Sequence, residues 1–299
     1  MMGDSHFQTS IKRSDDSSID NLFGYSASDV ENENQIEVDG NSLSPVIHEY
    51  QRLLDSRELS TPKLNHKFIL TPDEIDSFLQ LQEIFLDHEY NIRHFGKYVS
   101  SLIQNSYDAG YNGFEFNLEN VEEFPYLGCH IKGNDKNLIK IKIVGDVGCG
   151  FGTEAKEVDV NIQGNVDYFF GLSSNNLIAT INGDVAHGYG ISSINMTTFI
   201  KGNSKKTFGN SSENMTAIIV GRMADYVGIN SNNLTLAVDG SAGIEFGRES
   251  INLTAYIRNT FYLRPSDFKN GNIIGGNDAI NHPEYIRMMK EFDEKMKAV

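Results

Sequence analysis

The stretch that decides the fold is Asn176-Leu177-Ile178-Ala179-Thr180-Ile181-Asn182-Gly183-Asp184-Val185-Ala186-His187-Gly188-Tyr189-Gly190. Its two glycines seven apart, Gly183 and Gly190, have counterparts at Gly145 and Gly152, Gly164 and Gly171, Gly202 and Gly209, Gly221 and Gly228, and Gly240 and Gly247. Consecutive first glycines are 19 residues apart without insertion. A fixed period of this length over six copies marks a solenoid.

Each column of the repeat has a physical meaning. Ile139, Val158, Leu177, Met196, Met215, Leu234 and Leu253 start a strand, and Ile143, Ile162, Ile181, Ile200, Ile219, Val238 and Ile257 follow four residues on. Small or β-branched residues such as Ile141, Ala179 and Thr198 lie between them. Alternate positions of a strand share one face, so all three columns are expected to point inward. A largely aromatic column precedes the second glycine, at Phe151, Phe170, Tyr189, Phe208, Val227 and Phe246. Val147, Val166, Val185, Ser204, Met223 and Ala242 supply a third wall. The glycines fall where the coil turns, since glycine tolerates a positive φ and lets backbones approach closely, and Gly183 is expected to hold a positive φ. Asn176, Asn195, Asn214, Asn233 and Asn252 are expected to form a buried hydrogen-bonded ladder, with Ser174, Ser193, Ser212, Ser231 and Ser250 in the same loop. Three short strands per coil imply an all-β solenoid, a parallel β-helix with rungs about 4.8 Å apart.

Outward from the repeat the pattern changes. Residues 115–133 keep only Gly133 in register, and residues 248–266 have Asn259 and Ser266 where glycines belong. Atypical end rungs are expected of a solenoid that must protect its edges. Thr71-Pro72-Asp73-Glu74 opens a helix with a capping box and proline at the first turn. Ile75, Phe78, Leu79, Ile84 and Phe85 line its apolar side. A second helix follows, with Ile92, Phe95, Val99, Leu102 and Ile103 at helical spacing and Gly110 as its stop. Phe114 to Leu118 alternates like a strand. A last helix starts near Pro283, with Ile286, Met289, Phe292 and Met296 on one face, closing the far end or packing along the side. The divisions are therefore 1–62, an acidic disordered tail; 63–112, a helical cap; 113–266, the β-helix; and 267–299, a loop and C-terminal helix. The tail reading rests on 12 acidic against 4 basic residues with scattered apolar ones. Within it, Pro45 to Leu54 has apolar residues near helical spacing.

The unit, once aligned, resembles the Gly-x-Gly-x-Gly repeat found in the C-terminal domain of the large, alpha polypeptide of glutamate synthase, which also occurs in formylmethanofuran dehydrogenase. Gly145-Asp146-Val147-Gly148 is the best-kept form, and Gly202-Asn203-Ser204-Lys205 has drifted. The resemblance covers about residues 126–266. It implies a right-handed β-helix with an architectural role. The chain departs from those enzymes in having no N-terminal nucleophilic Cys, no room for a flavin barrel and no iron–sulfur Cys cluster. An accessory subunit of a redox or amidotransfer complex is the alternative that the resemblance implies.

Composition bounds the chemistry. The chain has 299 residues and a net charge of −16, which argues against a nucleic-acid partner and against docking on anionic lipid. The start, Met1 to Ser5, reads as neither a secretory signal nor a myristoylation site, and no apolar run is long enough to span a membrane. A cytoplasmic chain is expected, with Cys129 and Cys149 reduced although a disulfide between adjacent rungs is conceivable.

The candidate chemical groups each have a plainer explanation. Asp146, Asn165, Asp184 and Asn203 form a ladder that suits Ca²⁺, but Asp and Asn also favour such turns by bonding the backbone. Cys149, Tyr168 and His187 share an outer column beside Asp184, where Tyr168 and His187, one repeat apart, are placed to stack, yet two rungs, about 9–10 Å, separate Cys149 from His187, too far for a catalytic dyad. Gly145 to Gly150 lacks the Lys and the following helix of a phosphate loop. Asp159, Asp225, Asp239 and Glu245 are isolated by column and make no glycosidase pair. Lys201, Lys205 and Lys206 form one basic spot. Sequons such as Asn195-Met196-Thr197 arise from the ladder itself. The expectation is a non-catalytic structural or protein-interaction module with no catalytic, cofactor or metal residue assigned, no cofactor, a protein partner and an open oligomeric state. A polysaccharide-active β-helix enzyme ranks last.

Overall fold

The structure, a computed structural model, describes residues 40–56, 68–85, 89–260, 264–265 and 268–297. The chain divides between Thr61 and Pro62 into two units. Of the first, helix α1, Gly40–Ser56, is described. Leu43, Val46, Ile47, Tyr50, Leu53 and Leu54 are buried along it, at the spacing of one helical face. The segment 1–62 expected as a disordered tail is therefore helical over this stretch, because its apolar residues are concentrated there. The remainder of that segment lies outside the described residues.

The second unit begins with the helical cap. In α2, Pro72–Gln80, Thr71 Oγ1 accepts from the Glu74 amide at 3.3 Å, and Glu74 Oε2 accepts from the Thr71 amide at 2.7 Å. This is the capping box expected from the sequence. A 3₁₀ turn, Gln82–Phe85, leads towards α3, Glu89–Asp108, which ends at Gly110 with φ +112°. The Ile84 and Ile92 side chains lie outside the described residues. Phe78 stacks on Phe95 at 5.5 Å between centroids, and Phe95 meets Phe124 edge-on at 5.2 Å, which ties the cap to the first coil.

The strands are β1 Gly113–Asn117, β2 Ile139–Val144, β3 Lys156–Gln163, β4 Asn175–Ile181, β5 Thr197–Ile200, β6 Glu213–Ile219, β7 Asn232–Ser241, β8 Ile244–Phe246, β9 Ile251–Asn259, β10 Arg264–Pro265 and β11 Lys269–Gly275. Nine of them form one parallel sheet in the order β1-β2-β3-β4-β5-β6-β7-β9-β11, while β8 pairs with β10. Ile139 faces Val158, Val158 faces Leu177, and Met215 faces Leu234, so the 19-residue sequence period is the register of the sheet. The chain is a parallel β-solenoid. Its end coils depart from the period: β1 pairs with β2 at an offset of 27, as in Phe114 with Ile141, and β11 pairs with β9 at 18, as in Gly271 with Leu253. The solenoid thus runs past the expected boundary at 266 to Gly275.

The inward columns are buried throughout, as expected. Stacking identical columns removes apolar surface from water on every coil, at about 25 cal/mol per Å². The aromatic column forms a continuous pile: Phe151 on Phe170 at 5.3 Å, Phe170 on Tyr189 at 4.9 Å and Tyr189 on Phe208 at 5.0 Å, with ring planes within 9° of parallel. The third wall is a line of single-residue bridges through Val147, Val166, Val185, Ser204 and Met223 rather than a sheet of strands. Between the walls the coil turns at left-handed positions, for example Phe169, Gly171, Ser173 and Asn176, with φ of +61°, +63°, +55° and +54°. Four such residues in one coil break strand hydrogen bonding, so only one wall carries long strands.

Gly183 corrects its expected role. It does not hold a positive φ; its partner Gly190 does, at +64°. A Cβ on Gly183 would come within 3.0 Å of the Gly164 carbonyl, and the same holds down the column. The first glycines are there for backbone-on-backbone approach, and the second for the turn.

The asparagine ladder is also corrected. Asn214 donates to Asn195 Oδ1 at 3.0 Å, Asn233 to Asn214 at 2.8 Å and Asn252 to Asn233 at 2.9 Å. These side chains are exposed, not buried. The column is asparagine because every member sits at φ near +55°, where Asn is the best-tolerated residue with a side chain. The buried polar column is instead serine: Ser193, Ser212, Ser231 and Ser250 each donate to the carbonyl of the glycine three residues before.

Helix α4, Asn277–Ile280, leads to α5, Pro283–Met296, which packs along the side of the sheet. One outward column shows why: Glu115, Lys142, Asn161, Thr180, Phe199, Ile218, Ala237, Tyr256 and Ile274 are consecutive partners. The column turns apolar where the helix lies. Tyr285, Met288 and Phe292 are buried there, whereas Ile286 is exposed, so the docking face is rotated from the one expected. The Tyr285 hydroxyl donates to Asp239, which also pairs with Arg258 at 2.5 Å.

Candidate functional site

The candidates Asp146, Asn165, Asp184, Asn203, Cys149, Tyr168 and His187 lie on the corner loops between the strand wall and the aromatic pile. Each occupies one coil, so the 19-residue spacing converts them into columns.

The Asp146 column is a backbone-binding ladder. The Asn165 amide donates to Asp146 Oδ1 at 2.7 Å, the Asp184 amide to Asn165 Oδ1 at 2.9 Å, the Asn203 amide to Asp184 Oδ1 at 2.6 Å, and the Arg222 amide to Asn203 Oδ1 at 2.9 Å. Asn165 and Asn203 also donate side-chain N–H groups to Asp146 and Asp184. Each side chain thereby satisfies the amide one coil on, which is why either Asp or Asn serves. Among the described residues no group of three or more His, Cys, Asp or Glu is placed to hold a metal ion.

The next column runs Cys149, Tyr168, His187, Lys206 and Asp225. Tyr168 and His187 stack at 5.5 Å with planes 12° apart. Lys206 pairs with Asp225 at 3.7 Å and lies 5.6 Å above the Tyr226 ring. The structure therefore brings Tyr168 to His187, and leaves Cys149 one coil beyond Tyr168. Cys149 is half-buried and Cys129 buried, and no disulfide joins them; burial pushes the Cys129 thiol up. Lys201 and Lys205 are exposed, like Lys206.

The aromatic neighbours of this column do not stand out in the sequence. Tyr168 and Phe169 are 43% and 45% exposed and stand 6.4 Å apart. The Phe169 ring lies over Gly188, and the Tyr126 ring over Gly150; a methyl at either glycine would meet the ring within 3.0 Å. Lys97 lies 4.8 Å above the Tyr126 ring. The available signal was the alternation Gly150, Phe169, Gly188, Thr207, Tyr226, in which glycine makes room for the preceding ring. Glu123 does not stand out either. It lines a small pocket with Leu118, Phe124 and Asp146, and burial followed by the Asp167 and Asp146 charges pushes its carboxyl up.

Asp159 and Asp239 lie on the outer sheet face beside α5, away from this corner. Burial pushes the Asp159 carboxyl up against the opposing effects of Lys295 and Lys140. Glu245 pairs with Arg248 at 3.2 Å. No helix among the described residues is long and apolar enough to cross a membrane. Comparison with protein-family models, with curated proteins and with solved structures returned no match for this chain.

Proposed function

We propose that this β-solenoid is a non-catalytic protein-interaction module that contacts its partner through the Tyr168–Phe169–His187–Lys206 corner. The exposed pair Tyr168 and Phe169 carries this reading. Two adjacent large aromatics on a stiff corner, flanked by one basic residue, have the composition of a protein contact surface, where aromatic residues are enriched. A rigid stack of coils also presents such a corner with little ordering cost on binding. The Asp146 ladder supports the same reading, because its carboxylates serve the backbone of the next coil and not a reacting group.

The test has two arms. The full chain and its Phe169→Ser and Lys206→Glu variants are used as bait, and the proposal expects a stoichiometric partner retained by the first and lost by the variants. In parallel, the chain is assayed on acidic polysaccharides with and without Ca²⁺. Turnover abolished by Asp184→Ala would overturn the non-catalytic reading.

A further inference from the structure

The two ends of the parallel sheet are finished differently. At the first edge, α2 packs against β1. The Asn117 amide donates to Asp76 Oδ1 at 3.2 Å, and Gln80 Nε2 donates to the Asn117 carbonyl at 2.7 Å. At the last edge, no strand follows β11 among the described residues.

The backbone of β11 shows which groups are left over. Asn270 has φ +55° and is the next member of the asparagine column, one residue early because this coil has 18 residues. In earlier coils that amide donates forward, Asn176 to the Ile194 carbonyl at 3.0 Å and Asn195 to Glu213 at 2.9 Å. Among the described residues no such coil follows Asn270. The Gly276 amide donates back to Ile257 at 3.0 Å. Strand amides alternate in direction, so those of Gly271, Ile273 and Gly275 point away from β9, into the open edge.

The geometry points to β11 as a self-pairing edge: two copies of this chain join end to end by antiparallel β11–β11 pairing about a two-fold axis at Ile273. An unpaired edge is a template for a further strand. Head-to-tail growth would need a free β1, which α2, Asp76 and Gln80 occupy. Closure of two identical ends is the arrangement left, and two-fold pairing is the commonest closed form. In this register Ile273 faces its own copy and Gly271 faces Gly275 of the other, each as a pair that exchanges both N–H···O bonds. Gly271 to Gly275 carries no charge in a chain of net −16, so no like charges meet across the axis. Ile273, half-buried at the end of the core, is covered by its counterpart.

Sedimentation of the full chain between about 1 and 100 μM is the test. The expected result is twice the chain mass at the upper end, with the amides of Gly271, Ile273 and Gly275 exchanging hydrogen slowly in the dimer and fast on dilution. Ile273→Lys and Ile273→Glu, each monitored for folding by circular dichroism, should each be monomeric, and an equal mixture should recover the dimer. A monomer at every concentration overturns the proposal. So does a dimer whose Gly271, Ile273 and Gly275 amides ignore dilution, or assembly that continues beyond two copies.

Discussion

Gly183 lies against Gly164 so closely that a single added methyl would come within 3.0 Å of the Gly164 carbonyl. The obstacle is backbone on one side and backbone on the other, so no side-chain rotation relieves it. Gly183→Ala is therefore expected to cost more than ~2 kcal/mol, by overpacking. Gly190→Ala meets side chains alone, those of Met196, Met215 and Ser193, and incurs mainly the left-handed penalty of ~1–2 kcal/mol. Thermal melts of the two variants check the order; a milder Gly183→Ala would refute the backbone stacking.

Asn214 holds φ +54° and bonds its neighbours on both sides, whereas Asn232 belongs to no left-handed column. Asn214→Leu is expected to destabilise by ~1–2 kcal/mol more than Asn232→Leu. Asn214→Gly should recover the backbone part of that loss. Equal denaturation midpoints for the two leucine variants would contradict the assignment.

Tyr189 carries the one hydroxyl of the aromatic pile, and it shares a hydrogen bond with Thr198 Oγ1 at 2.6 Å inside the core. Burial holds its proton on far above the ordinary tyrosine range. Tyr189→Phe and Thr198→Val should each cost ~1–3 kcal/mol, because each leaves a buried partner unsatisfied. The double variant should cost clearly less than the sum. A strictly additive cycle from urea titrations would show that the pair is not coupled.

Tyr285 fastens α5 to Asp239 and is pushed up from 10.0 to about 12, by burial first and Asp239 second. The folded state keeps this proton when the unfolded state has lost it. The contribution is thus complete below pH 10.0 and is lost as pH rises through about 12. Tyr189 and Tyr256 shift in the same direction, so the readout is a difference. The melting temperature of wild type should fall more steeply over this window than that of Tyr285→Phe. Parallel curves would remove Tyr285 from the alkaline loss.

The Asp146 and Cys149 columns were legible as columns from the sequence, since residues 19 apart are stacked neighbours. Their chemistry was only half legible. The stack of His187 on Tyr168 followed from their one-repeat spacing, whereas that Asp184 is spent on the Asn203 amide depends on side-chain direction at a corner. Phe169 was hidden because its column mixes Gly, Thr and aromatics, and the rings of one coil fill the gaps of the next.

By itself the sequence determined that this chain coils every 19 residues, which residues face inward, and where a capped helix precedes the coils. Contacts in a solenoid run between nearest coils, so spatial neighbours recur at one sequence interval and the period displays them. What does not repeat was set by the packing of the folded chain. The offsets of 27 and 18 at the ends, the seat of α5 on Phe199, Ile218, Ala237 and Tyr256, and the contrast between a capped β1 and a β11 that no further strand follows among the described residues arise once each. A contact made once leaves no period, and it is settled by which apolar face meets which when the coils are stacked.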